Sequence, residues 1–172
     1  PPRVVPARSA RRGRSKRGYV VFVGKQSGVY TTWDACNAQV HRVNHSFHQS
    51  YPTLAEARAA FEVARAYGFT FSCGEGTIAV GAQVAATPVP ASDLVLCLAF
   101  LDDPASKVIS PADDAWYVVY KGVQPGVYRS YVEVGILTTG LADARHCSFT
   151  TREEAVESFT SALERGQVFR IV

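Results

Sequence analysis

Two stretches of the chain carry one sequence twice, 98 residues apart and without a gap. Tyr19-Val20-Val21, Gly24, Gln26 and Gly28-Val29-Tyr30 recur as Tyr117-Val118-Val119, Gly122, Gln124 and Gly126-Val127-Tyr128. The register then holds through His48 and His146, Thr53 and Thr151, Glu56-Ala57 and Glu154-Ala155, Phe61 and Phe159, Gly68 and Gly166, and Phe71 and Phe169. An offset kept across glycines, aromatics and helix residues means two copies of one small fold. With 172 residues at 47% hydrophobic content, each copy has roughly 50 residues and is marginal alone. Each copy is therefore expected to lean on the other, or on the segment between them.

The residues divide as a basic arm (1–18), a first copy (19–67), a connector (68–115) and a second copy (116–172). In the first copy, Tyr19 to Lys25 reads as a strand and Gln26-Ser27-Gly28 as a turn in which Gly28 supplies a positive φ. Val29 to Thr32 continues as the second strand of a hairpin. From Trp33, the run WDACNAQVHRV sets Ala35, Ala38, Gln39 and Arg42 at helical spacing with Cys36 and Val40 inward. A brief strand follows around Gln49 to Tyr51. Thr53 and Glu56 form the capping box of a second helix, with Ala57, Phe61 and Ala64 as its buried stripe and Gly68 as its stop. The second copy repeats this order, with Thr151 and Glu154 as the box, Ala155, Phe159 and Ala162 as the stripe and Gly166 as the stop. Its first helix alone reads as degraded, because Gly135, Thr138 and Thr139 are poor helix formers. In the connector, TIAVGAQVAA and DLVLCLAFL are apolar enough to pack on the copies. The apolar run of residues 93–101 has no period by which strand and helix can be told apart.

Charge is unevenly placed. Arg3, Arg8, Arg11, Arg12, Arg14, Lys16 and Arg17 give the arm +7 with no acid, while the whole chain is +3, so everything from Tyr19 onward sums to −4. Polyanion affinity is therefore concentrated in the arm. The arm has little to bury and is expected to be disordered until a partner holds it. The sequence lacks methionine and begins at Pro1, which suggests a processed product or part of something longer. No run approaches the roughly 20 apolar residues of a membrane span, and the start lacks an apolar signal core. A location inside the cell, cytoplasmic or nuclear, is expected. Cys36, Cys73, Cys97 and Cys147 form no C-x-x-C pair and read as reduced, mostly buried thiols. His41, His45 and His48 lie close together but lack the carboxylates or thiolates of a metal site, and no metal or cofactor is expected.

The strings YVVFVGKQSGVYTTWDACNAQV and SYPTLAEARAAF resemble the amino-terminal hybrid-binding domain of ribonuclease H type 1, which also occurs as the viroplasmin domain of plant pararetroviruses. The likeness covers residues 19 to about 66 well and 117–163 more weakly. It implies an α/β (α+β) unit, a three-stranded antiparallel sheet with two helices, present here twice. It also implies a grip on an RNA/DNA hybrid or double-stranded RNA, with hairpin backbone on RNA hydroxyls, an aromatic at the helix start, and a second aromatic followed by lysines. The helix-start aromatic falls on Trp33 and Tyr131, the second aromatic on His48 and His146. The lysines fall on Gln49 and Ser50 and on Cys147 and Ser148, so neither copy keeps them.

Catalysis finds no support. Asp102-Asp103 and Asp113-Asp114 flank prolines and read as solvated loops, GFTFSCGEG lacks the Lys-Ser/Thr of a phosphate loop, and the resemblance stops before any catalytic domain. Two readings remain. One is a docking protein whose paired body is tethered by Arg3, Arg8, Arg11, Arg12, Arg14, Lys16 and Arg17 to a larger protein assembly. By analogy with viroplasmin, this would be a virus-encoded protein on a particle or replication body. The other is a binder of RNA/DNA hybrid or double-stranded RNA, with Lys25, Tyr30, Trp33, His48, Gln49, Tyr128, Tyr131 and His146 as contact surface. The missing lysines and the acidic body favour docking.

Overall fold

The computed structural model describes residues 16–73 and 85–171. Copy one comprises strand β1 (Gly18–Gly24), strand β2 (Gly28–Tyr30), helix α1 (Trp33–Val40), strand β3 (Phe47–Tyr51), helix α2 (Leu54–Ala66) and strand β4 (Phe71–Ser72). The connector supplies strand β5 (Ala86–Pro88), helix α3 (Leu94–Asp102) and the short helix α4 (Ser106–Ile109). Copy two follows with β6 (Trp116–Gly122), β7 (Gly126–Tyr128), α5 (Tyr131–Thr138), β8 (Arg145–Phe149), α6 (Arg152–Glu164) and β9 (Phe169–Ile171). Each of its elements begins 98 residues after its counterpart. Residues 93–101 are thus resolved in favour of helix. Residues 94–102 combine leucines, unbranched at Cβ, with a length beyond a typical buried strand.

In each copy the three expected antiparallel strands are present. In copy one, β1 lies between β2 and β3. A short strand is added: β4 runs parallel to the end of β1 through Val23 and Phe71, and β9 runs parallel to β6. β3 covers one edge of β1 along most of its length, so β2 and β4 share the other. In copy two β5 extends the sheet by pairing with β9. The register of β1 on β3 slips between Val21 and Val23, leaving Phe22 as the extra residue of a bulge. Phe22 and Val23 consequently both face α2, whereas Tyr19 and Val21 face α1. The two helices therefore lie on opposite faces of the sheet.

The helix ends follow the sequence. Thr53 Oγ1 accepts from Glu56 N, and Thr151 Oγ1 accepts from Glu154 N. Gly68 and Gly166 adopt φ of 76° and 70°. The chain then closes both helices with paired bonds, Gly68 N to Arg65 O and Phe69 N to Ala64 O, and Gly166 N to Leu163 O and Gln167 N to Ala162 O. Two details differ from expectation. The buried stripe of α2 is Ala57, Ala60 and Ala64, with Phe61 half-buried, because α2 sits so close to β1 that only small residues fit beneath it. A Cβ on Gly18 would collide with the Ala57 methyl. Gly28 is not a positive-φ turn residue but part of extended β2. At its counterpart Gly126 the need for glycine is steric, since the Cys97 carbonyl of α3 lies where a Cβ would be.

The two copies share one core. Val20, Phe22, Ala57, Ala60, Ala64 and Phe69 of copy one form a single apolar cluster with Val119, Tyr128, Val134, Ile136 and Leu137 of copy two, completed by Ile109 of the connector. A second cluster lies between sheet two and α6, roofed by Cys97 and Leu101 of α3. Helix α5 is therefore covered on both sides, by its own sheet and by copy one. The expectation of a degraded first helix is overturned: α5 is as long as α1, eight residues. Gly135 is required because the Phe47 ring of β3 lies against it, and any Cβ there would enter the ring. Gly140 meets the Asn44 carbonyl in the same way, and His45 Nδ1 donates to Gly140 O at 2.7 Å. Of the cysteines, Cys36 and Cys97 are buried, Cys73 is half-buried and Cys147 is exposed, all as free thiols.

Glu133 is the one carboxyl sealed in this joint among the described residues, 1% exposed. Ser130 Oγ donates to Glu133 Oε1 at 3.2 Å, while Oε2 is buried without a partner. Burial pushes its carboxyl up to about 7 from an ordinary 4.5, against the pull of Ser130 and backbone hydrogen bonds. A raised carboxyl favours the folded state while protonated. Its contribution is complete below about pH 4.5 and is lost as pH rises through about 7. Glu133→Gln is expected to remove a pH-dependent loss of about 3 kcal/mol, read as a smaller drop in urea-unfolding free energy between acid and mildly alkaline pH than in the parent. Gly135→Ala is expected to destabilise by about 1–3 kcal/mol through overpacking on Phe47, although alanine is the better helix former; chemical denaturation measures it.

Candidate nucleic-acid interface

The surface residues of interest stand on the α1 face of sheet one. Thr32 Oγ1 accepts from Ala35 N at 3.2 Å and so starts α1 with Trp33 as its first residue. Strand alternation puts Tyr19 of β1 and His48 and Ser50 of β3 on the same face. Trp33 lies across them, its ring 6.1 Å from Tyr19 and 5.4 Å from His48, and remains 47% exposed. Copy two builds the same plate by the same means. Ser130 caps α5, and Tyr131 lies 5.9 Å from Tyr117 and 6.0 Å from His146, 53% exposed.

The plates differ in the charge beside them. Lys16 and Arg17 lead into β1, and Arg17 Nη1 donates to Ser50 Oγ at 3.1 Å, beside His48. At the matching positions copy two has Asp114 and Ala115. Asp113 there places Oδ2 2.8 Å from the backbone N of Tyr131, the first residue of α5. The Tyr117 phenol is raised by burial and by its hydrogen bond to Asp113. A carboxylate thus occupies the electropositive end of α5, where an external anion would otherwise sit. Arg129, which could offset it, is stacked over Trp116 at 4.0 Å and donates to Asp113 O. Beside its aromatics copy one sets Lys16 and Arg17, with Asp34 in the first turn of α1, whereas copy two sets Asp113 and Asp114.

The structure gathers some of the expected residues and separates others. Trp33 with His48, and Tyr131 with His146, are brought together. Tyr30 pairs with Tyr19 on the neighbouring strand and packs on the same α1 face, half-buried, with its hydroxyl donated to Gln26 O. Its counterpart Tyr128 is not available as a contact. It is fully buried, donates to Gln124 O and stacks on Phe100 at 5.8 Å, because α3 and copy one close over β7. Gln49 falls between Phe47 and Tyr51, which face the α2 core, so alternation turns it away from Trp33. Lys25 follows the far end of β1, about 20 Å of strand from Tyr19; its backbone N donates to Gln39 O. Of the docking arm, Lys16 and Arg17 are placed as above, while Arg3, Arg8, Arg11, Arg12 and Arg14 lie outside the described residues. His45 and His48 are engaged separately, by Gly140 and Trp33. No three His, Cys, Asp or Glu side chains converge among the described residues.

Sequence reasoning passed over Tyr19 and Tyr117 as contact residues, and its reading of Asp113 as a solvated loop residue is corrected by the bond that Asp113 Oδ2 accepts from Tyr131 N. The tyrosines had a signal, since each is two residues before an inward valine on the α1 face and repeats at the common offset. Asp113 had none, because only the folded chain brings it 18 residues forward to Tyr131.

Residues 18–61 and 115–159, just over half of the chain, match the family described as Ribonuclease H1 N-terminal domain. The chain belongs to this family. The ribonuclease H1 N-terminal domain fold is present twice, in agreement with the repeat and the resemblance read from the sequence. A ribonuclease H of Crithidia fasciculata is 51% identical over 41 residues, which is 24% of this chain and 8% of that protein. The match thus spans less than a tenth of that relative's length. No solved structure matches the chain. Among the described residues no helix is long and apolar enough to cross a membrane.

Proposed function

We propose that this is a non-catalytic nucleic-acid-binding protein in which copy one grips an RNA/DNA hybrid or double-stranded RNA and copy two serves as its structural support. Membership in the ribonuclease H1 N-terminal domain family supports the ligand class. The observation that carries the division of labour is the charge beside two otherwise matching plates, Lys16 and Arg17 against Asp113 and Asp114. An exposed indole flanked by Tyr19 and His48 offers stacking to a sugar or base, and neighbouring cations release counterions from phosphates. The same indole without cations would be a weak contact, and a carboxylate in their place repels the backbone. This reverses the order suggested by the missing lysines, whose positions are partly taken over from a different segment: Arg17 reaches Ser50, one of those positions.

Docking to a larger assembly, including a viral particle or replication body, is the alternative, and it rests on the basic arm, the missing lysines, the acidic body and the viroplasmin analogy read from the sequence.

Fluorescence anisotropy with labelled hybrid, double-stranded RNA and double-stranded DNA tests the reading. Trp33→Ala is expected to weaken hybrid or double-stranded RNA binding roughly 5- to 150-fold, the cost of about 1–3 kcal/mol of stacking, with Tyr131→Ala nearly neutral. Equal losses in both variants, or none in Trp33→Ala, would defeat the proposal. Replacing Asp113 by Ser and Asp114 by Lys should convert the second plate. Tighter binding and a salt dependence steeper by about one phosphate contact are expected, and unchanged binding would show that charge does not distinguish the copies.

A further inference from the structure

Copy one docks on copy two through a surface at the ends of β1 and β3. Val23, Phe47 and Phe69 enter the shared core, and His45 bonds to Gly140. The matching surface of copy two is open among the described residues. Its residues at those positions are Lys121, Arg145, Gln167 and Asp143, and with Phe169 they line a concave groove of about 350 Å³.

A repeat surface left open to water requires only polar side chains. The groove has more than that. Two of the three apolar positions have become cations. Lys121 Nζ lies 5.8 Å from the centre of the Phe169 ring, and the Arg145 guanidinium lies 6.0 Å from that of Tyr120. Both distances lie at the outer limit of a cation–π attraction, with Lys121 half-buried and Arg145 exposed beside the concavity. Neither cation has a carboxylate within ion-pair distance among the described residues. Gln167 adds an amide donor, and Asp143, with φ of 62°, supplies one acceptor against two positive charges. Guanidinium, ammonium and amide donors gathered beside an aromatic ring suit a phosphate followed by a sugar, with the carboxylate accepting from a hydroxyl.

We propose that this groove is a phosphate-binding site that holds the sugar–phosphate backbone of a nucleic-acid strand, as a contact separate from the Trp33 plate. The proposal rests on the nucleic-acid reading above and extends it to copy two, which then supports copy one mechanically and adds an anchor blind to base sequence.

The test is a salt series on the full chain with labelled hybrid, comparing the parent, Lys121→Ala/Arg145→Ala, Trp33→Ala and the charge-retaining Lys121→Arg/Arg145→Lys, each checked for folding by thermal melting. Loss of the phosphate held in the groove should flatten the plot of log affinity against log salt by about 0.9, equally for different sequences, and the charge-retaining pair should restore it. An unchanged slope in the alanine pair overturns the groove; if Trp33→Ala still loses affinity, the reading of copy one survives, and if it does not, both fall. Inorganic phosphate and a nucleoside monophosphate, titrated with amide resonances of copy two as readout, separate the sources. Weak millimolar shifts at Lys121 and Gln167 fit a strand contact. Saturation by the mononucleotide at concentrations comparable to the duplex would assign the groove to a free nucleotide and overturn the strand.

Discussion

The contact between the Phe47 ring and Gly135 decides how the rest of the molecule is arranged. Units of this size are marginal singly, and here apolar surface is removed from water by setting a helix of copy two against a sheet edge of copy one. The absence of a side chain at Gly135 lets the ring approach the helix backbone, and Gly140 lets the Asn44–His45 loop follow. With both in place the apolar faces of α2 and α5 close over Phe69, Phe100 and Tyr128 as one core.

The joint is head to tail: β3 of copy one meets α5 of copy two, and the corresponding surfaces at the far ends remain outward. A heterologous contact of this kind would propagate into a filament if both free ends kept their apolar character. They do not. Lys121 and Arg145 stand where copy one has Val23 and Phe47, and Asn37 stands where copy two has Gly135. The asymmetry that stops growth also separates the duties of the copies. Copy one keeps an open aromatic plate with Arg17 beside it, whereas in copy two the hairpin tyrosine is sealed by α3 and a connector carboxylate sits at the start of α5.

Much of this was legible in the chain, for definable reasons. Caps and stops depend on residues three to six apart, so Thr53 with Glu56, and Gly68, announced the bounds of α2 before any packing was known. The aromatic pair Trp33 and His48 followed from the family resemblance. Misreadings occurred where a residue answers to a distant neighbour. Gly135 looked like a helix defect because its reason, Phe47, is 88 positions away. Tyr128 looked like a copy of Tyr30, and only α3 makes it a core residue. Gln49 was named as a contact because a lysine position of the family falls on it, but the two-residue period of a strand sends it to the face opposite Trp33.

The sequence by itself determined that one α/β unit occurs twice at an offset of 98, which elements compose it and in what order, because those depend on local periodicity and turn chemistry repeated in register. Tertiary structure alone decided which plate carries cations and which a carboxylate, which tyrosine is buried, and where Lys121 and Arg145 converge. Those outcomes depend on burial and charge between groups far apart in the chain, and such energies come into being only when the two copies are packed together.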